Sequence, residues 1–182
     1  MRVVMLAIAI FLSLTSLQAF ACSYPTPKPF SESLDKATSV FVFRLQSAEL
    51  KRKTYRSGTY REWVEGRIQV RETLKGAKPA FKTVNFSTQQ CGGLRLDVGH
   101  YFVIVTTQNG RVLDLLPSDR SIIDISDYYD EAFAERNLQS DLLAPIVDFI
   151  KGKPLPPDFP PASVAERTSS LPYPPPLPTD KK

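Results

Sequence analysis

The sequence predicts a mainly β protein, organised as a small five-stranded antiparallel barrel, closed or partly open, with short flanking helices. Short runs rich in β-branched and aromatic residues recur through the middle of the chain, and turn signals separate them. Helix-forming runs occur only towards the two ends of this region. Hydrophobic residues make up 42% of the 182-residue chain, which is enough for one packed core and excludes disorder of the whole chain.

Five segments have the composition of strands. The second of them alternates, since Trp63, Ile68 and Val70 interleave with charged residues, as in a half-buried antiparallel strand with a bulge. Asn109-Gly110 predicts a tight hairpin between the fourth and fifth strands. The five predicted strands are 38–46, 60–74, 81–88, 101–106 and 112–116.

Three short helices flank the strands in this prediction. Ser31 can cap a helix over 32–37, and acidic residues in the first turn favour a second helix over 127–136. An apolar stripe over 142–150 predicts the third, which is either kinked at Pro145 or begins there.

Both ends of the chain differ from the folded region. Residues 1–21 have a basic start, an apolar run of about 12 residues and a small-residue site at Ala19-Phe20-Ala21, the pattern of a cleaved signal peptide. The run is shorter than the roughly 20 residues that cross a bilayer, so we expect an exported protein, periplasmic or secreted, without a transmembrane segment. Ten prolines between 154 and 182 predict a disordered proline-rich tail over 153–182, leaving 22–152 as the domain.

Cys22 and Cys91 are the two cysteines of the chain, and Cys22 is the first residue after the predicted cleavage site. Because exported proteins meet oxidising conditions, we predict a disulfide between them that holds the mature N-terminus on the sheet. Acylation of Cys22 in a lipoprotein is the alternative. We favour the disulfide because Ala19 and Phe20 depart from the usual lipoprotein signal.

Four short motifs follow one another along residues 22–103. The motifs are the start Cys22-Ser23, the strand 39–44, the turn 74–76, and the run from Cys91 through Gly99 to Val103. In this order they resemble the N-terminal domain of the tissue inhibitors of metalloproteinases and the wider netrin-like family, over residues 22–150. The resemblance implies an OB-like barrel of five antiparallel strands.

The resemblance also implies a function. In these inhibitors the α-amino nitrogen and carbonyl oxygen of the first residue chelate the zinc of a metalloprotease, which keeps an open coordination position. By resemblance, Cys22 would chelate the zinc and Ser23 would face the specificity pocket. Tyr24 stands where the family has a second cysteine. The implied partner is a zinc metalloprotease or another extracytoplasmic protein.

A basic run with aromatic neighbours follows the first predicted strand and forms a candidate polyanion patch. OB-type barrels bind polyanions through such surfaces, although a solvated loop would have the same composition. The alternative function is therefore a cell-envelope binding protein, with a polyanion or protein partner and without protease inhibition; we do not expect nucleic acid as the partner. The patch residues are Lys51, Arg52, Lys53, Tyr55, Arg56 and Arg61.

The remaining polar residues do not predict an enzyme. His100 is the single histidine, so any Ser-His-Asp triad would depend on a residue at the start of a strand. The acidic residues Asp124, Asp127, Asp130 and Glu131 lack EF-hand spacing and fit a helix N-terminus instead. We therefore expect no catalysis, no cofactor and no metal site of the protein's own.

Overall fold

The computed structural model describes residues 29–88, 93–115 and 121–168. The predicted signal peptide, both cysteines, Ser23, Tyr24 and residues 169–182 lie outside the described residues. Within the described ranges, no helix has the length and apolar character needed to cross a membrane.

Six strands and four short α-helices make up the described chain. The strands are β1 (Ser39–Thr54), β2 (Tyr60–Lys75), β3 (Thr83–Phe86), β4 (Tyr101–Thr106), β5 (Val112–Asp114) and β6 (Ile122–Asp124). The helices are α1 (Phe30–Lys36), α2 (Ala134–Asn137), α3 (Leu143–Ile150) and α4 (Ala162–Ala165), with a 3₁₀ turn at Ser126–Tyr128.

The strands form one open mixed sheet in the order β5-β3-β2-β1-β4-β6. All neighbouring pairs are antiparallel except β3 and β5, which run parallel. The mainly β class is thus confirmed. The closed five-stranded barrel is not formed, because β5 and β6 lie at opposite edges of the sheet.

The predicted hairpin at Asn109-Gly110 is wrong. The side chain of Gln108 bonds the backbone N–H and C=O of Asp114, which holds the segment as a wide loop. The N–H groups of Lys82 and Thr83 both donate to the carbonyl of Arg111, so β5 runs beside β3. The free edge of β4 pairs instead with β6, a short strand that the sequence did not predict.

The central strands bury side chains on both faces of the sheet. Phe41, Phe43 and Phe102 pack on one face, which we call the loop-covered face because the loop residues Phe81, Leu94 and Leu96 pack against it. Val40, Val42, Val103 and Val105 point to the other, helix-covered face, where α1, α3 and α4 pack. This alternation follows from the two-residue period of a strand.

The helices differ from their predictions at their N-termini. α1 begins at Phe30 with Pro29 as its N-cap, so Ser31 lies inside the helix and does not cap it. The predicted helix over 127–136 is interrupted, because the Asn137 side chain bonds the backbone N–H and C=O of Asp130 and closes a loop there. The predicted third helix is present as α3, with Pro145 in its first turn, where a missing N–H costs little.

The first half of the predicted tail packs onto the sheet. Leu155 and Phe159 lie against the helix-covered face, with the Phe159 ring 5.7 Å from that of Phe30, and Val164 in α4 is buried. The carbonyl of Thr168 also accepts a hydrogen bond from the N–H of Arg95. This part of the predicted tail packs because three apolar side chains recur among its prolines and can be buried together.

Candidate interaction surface

The hairpin formed by β1 and β2 extends beyond the rest of the sheet. β4 pairs with β1 only along Ser39–Arg44, and β3 pairs with β2 only along 64–67. From Lys51 onwards, each of the two strands has the other as its single partner among the described residues. We call residues 47–63 the distal hairpin.

The tip of the distal hairpin is a tight three-residue loop. The N–H of Tyr55 donates to the carbonyl of Thr59 at 2.8 Å, and the N–H of Gly58 donates to the carbonyl of Tyr55 at 3.0 Å. Gly58 has φ +79°, a left-handed conformation that glycine adopts without strain. This loop fixes the register of everything along the hairpin.

The basic run lies within β1, whereas the sequence placed it in a loop after a strand ending at residue 46. Lys and Glu have weak strand preference, but cross-strand pairs compensate for it. Arg52 forms a 2.5 Å ion pair with Glu62 directly opposite, and its guanidinium lies 4.8 Å from the ring centre of Tyr60. Lys51 lies opposite Trp63.

The register divides the predicted patch between two faces of the hairpin. Because side chains alternate along a strand, Lys51, Lys53 and Arg61 share one face with Trp63. We call these four residues the cationic face. Arg52 lies on the opposite face. Tyr55 and Arg56 follow β1, with Tyr55 closing the tip loop and Arg56 inside it.

Among the described residues, carboxylates offset the cations at the base of the cationic face but not near its tip. Glu49 lies opposite Glu65, and Lys51 offsets this acidic pair through a 2.7 Å ion pair with Glu49. Lys53 lies opposite Arg61, and no carboxylate within the described ranges pairs with either of them. Two like charges opposite each other destabilise a hairpin, so the tip is an electrostatically costly arrangement.

Aromatic side chains add to this surface. The Lys53 ammonium lies 5.7 Å from the ring centre of Tyr55. Tyr55 is 44% exposed, and Trp63 on the same face is half-buried. The exposed Tyr60 lies on the opposite face, beneath the guanidinium of Arg52. Exposed rings beside cations suit contact with an extended anionic chain, since the cations attract its charge and the rings cover its apolar atoms.

A second polar cluster lies on the helix-covered face and was missed by the sequence reasoning. The carboxylate of Glu131 receives the guanidinium of Arg71 at 2.9 Å and that of Arg44 at 3.6 Å, and it accepts a hydrogen bond from the Tyr101 hydroxyl. The Tyr129 ring packs on Tyr101 at 4.6 Å between centres. Because Glu131 forms ion pairs with Arg44 in β1 and Arg71 in β2, the cluster attaches the loop before α2 to the sheet.

Burial shifts the pKa of two groups beside this cluster. The pKa of Glu72 is raised because burial disfavours its charged form, although a hydrogen bond from Tyr129 opposes the shift. One carboxylate oxygen of Glu72 is buried without a hydrogen-bond partner among the described residues. The pKa of Tyr129 is raised well above its ordinary value, first by burial and then by the neighbouring Glu72.

His100, Asp124 and Ser126 are hydrogen-bonded together, but their hydrogen bonds differ from those of a Ser-His-Asp triad. The buried Asp124 carboxylate bonds His100 Nδ1 at 2.8 Å and Ser126 Oγ at 2.6 Å. The hydroxyl therefore donates to the carboxylate, whereas in a triad it would donate to the imidazole. Asp124 and Glu131 lie in different clusters, and no group of His, Cys, Asp and Glu among the described residues is placed to hold a metal ion.

No protein-family model matches the chain, and no curated protein sequence matches it. The resemblance to the metalloproteinase inhibitors stays a prediction that rests on its own short motifs.

Proposed function

We propose that the protein is an exported binding module that holds an anionic polymer of the cell envelope against the cationic face of its distal hairpin. One observation carries this proposal: Lys53 lies opposite Arg61 without an offsetting carboxylate in the described part of the chain. A pair that costs stability in the free protein gains it when an anion lies between the two charges. The exposed ring of Tyr55, 5.7 Å from the Lys53 ammonium, extends the contact.

The ion pairs of the distal hairpin also indicate which of its cations are left to bind an anion. Arg52 is already neutralised by Glu62, and Lys51 by Glu49, so neither needs an external partner. The residues left for an anion are Lys53, Arg56 and Arg61, all at the end of the hairpin furthest from the core. Binding would therefore depend on few cations, so affinity should fall with added salt along a modest slope set by their small number.

Charge reversal of the opposed pair tests the proposal. The double variant Lys53→Glu, Arg61→Glu keeps a like-charge pair in the hairpin but removes its attraction for anions. Dextran sulfate is the probe, and affinity is measured by isothermal titration calorimetry at two salt concentrations. We expect at least about a tenfold loss of affinity, together with a shallower salt dependence.

A matched control keeps the net charge of this variant. Lys78 and Lys151 are exposed and lie away from the hairpin, so Lys78→Glu with Lys151→Glu changes the total charge by the same amount. The control should bind almost as the original protein does. Equal loss in both variants would show that net charge alone attracts the polymer, and the proposal would then be wrong.

Inhibition of a zinc metalloprotease by the mature N-terminus is the second candidate. Leu94 and Leu96, from the motif that carries the resemblance, are buried on the loop-covered face, and the N–H of Leu94 donates to the carbonyl of Ser87 at 2.7 Å. The chain flanking Cys91 is thus attached to the core, which favours a firm anchor for Cys22. The OB-like and netrin-like relationship belongs to this same candidate.

Two measurements test the second candidate. Intact mass of the exported protein would show cleavage before Cys22 and the loss of two hydrogens for the disulfide, or the added mass of acyl chains. Inhibition of a panel of zinc proteases should then disappear when an alanine is added before Cys22, since the added residue displaces the chelating amine. Absence of inhibition by the unextended protein would remove this candidate.

A further inference from the structure

The outer edge of β1 is unpaired along the distal hairpin. Pairing with β4 ends at Arg44, and the last bonds on that side join Leu45 to the backbone of Gly99 and His100. From Ser47 to Thr54, no backbone group on this edge has a partner in the described ranges. A free strand edge of this length can accept another strand.

The hairpin loop determines which backbone groups face that edge. Because Tyr55 bonds Thr59, odd-numbered residues of the distal β1 strand direct their N–H and C=O groups to β2. Ala48, Leu50 and Arg52 therefore direct theirs outwards. Leu50 is also the most exposed large apolar side chain of the described chain, at 62%.

The residues around Leu50 are complementary to themselves. When a second copy of this segment runs antiparallel with Leu50 at the two-fold axis, each Glu49 lies opposite a Lys51 and the two Leu50 side chains lie opposite each other. Ala48 lies opposite Arg52, and its small side chain leaves room for the larger one. Lysine at an edge normally repels another strand, but here a carboxylate meets each Lys51.

We propose that two copies of this protein associate through the outer edges of β1, antiparallel about a two-fold axis at Leu50. The two sheets then become one continuous sheet, and the exposed Leu50 is covered. A strand-to-strand contact has a small interface, so the dimer is weak and reversible. The assembly carries two cationic faces, which would let one polymer engage both.

Sedimentation equilibrium of the purified protein tests this association, with concentrations up to about 1 mM to reach weak interfaces. We expect a reversible monomer–dimer equilibrium. The variant Leu50→Pro removes an N–H that faces the outer edge and leaves the bonds to β2 intact, as proline is tolerated at an edge. It should be monomeric while its thermal unfolding shows a folded protein. A wild-type protein that is monomeric throughout, or a folded Leu50→Pro variant that still dimerises, would overturn the proposal.

Charge variants identify the register. Glu49→Lys and Lys51→Glu each place like charges opposite each other at two positions, and each should weaken the dimer at least about tenfold. An equimolar mixture of the two variants should form a heterodimer, because their charges are complementary. This rescue also shows that both variants are folded. No recovery in the mixture would refute the register about Leu50, whatever the result of the polymer-binding assay.

Discussion

Two glycines with the same backbone conformation allow a sharp test of the packing described above. Gly76 ends β2 with φ +82°, and Gly58 lies in the hairpin loop with φ +79°. A Cβ atom on Gly76 would lie 2.4 Å from the carbonyl oxygen of Thr38, whereas a Cβ on Gly58 would meet nothing within 4 Å. The two positions therefore share the cost of a left-handed residue and differ in one backbone contact.

The magnitudes follow from this difference. Gly58→Ala should cost about 1 kcal/mol of unfolding free energy, the penalty for alanine in a left-handed conformation. Gly76→Ala should cost about 3 kcal/mol, because the start of β1 must also move away from the new methyl group. Urea unfolding followed by circular dichroism measures both values at one pH. Equal costs within about 0.5 kcal/mol would refute the close approach of Gly76 to Thr38.

The remaining predictions concern burial. Because burial raises the pKa of Glu72 in the folded protein, the free energy of unfolding should fall as pH rises from about 4.3 through the folded pKa. The variant Glu72→Gln should lack this decline and be more stable than the original protein at pH 7. Urea midpoints that run parallel for the two proteins from about pH 4 to 8 would contradict this prediction. Phe102 is fully buried with its ring 5.5 Å from Phe43, so Phe102→Ala should cost about 3–5 kcal/mol in urea unfolding. Phe133→Ala, at a ring that is 47% exposed, should cost far less; similar costs would contradict the assignment of the core.

Parts of the fold that depend on local pattern could be predicted from the sequence. The fourth strand was predicted with its observed bounds, and α3 was found at its apolar stripe, because burial of neighbouring residues shows directly in the composition. The closure of the sheet could not be predicted. It depends on whether β4 pairs with β5 or with β6. The bonds from Lys82 and Thr83 to the carbonyl of Arg111, which place β5 beside β3, join residues far apart in the sequence.

The candidate surface was predicted in composition but not in arrangement. The sequence identified the cations and Tyr55, yet the opposition of Lys53 to Arg61 appears only once the loop at Gly58 sets the register. The Glu131 cluster gave no signal at all, because its members come from three strands and a loop. Sequence reasoning assigned Glu131 to the N-terminus of a helix that is interrupted in the structure.

Mapping the polymer onto the folded protein tests the central proposal most directly. Amide and indole signals are followed by two-dimensional ¹H–¹⁵N NMR while a short dextran sulfate fragment is titrated into the purified protein. We expect the largest shifts at Lys53, Arg56, Arg61 and the indole of Trp63, which surround the opposed cations. Shifts that are absent, or that spread over lysines away from the hairpin, would contradict binding at the cationic face.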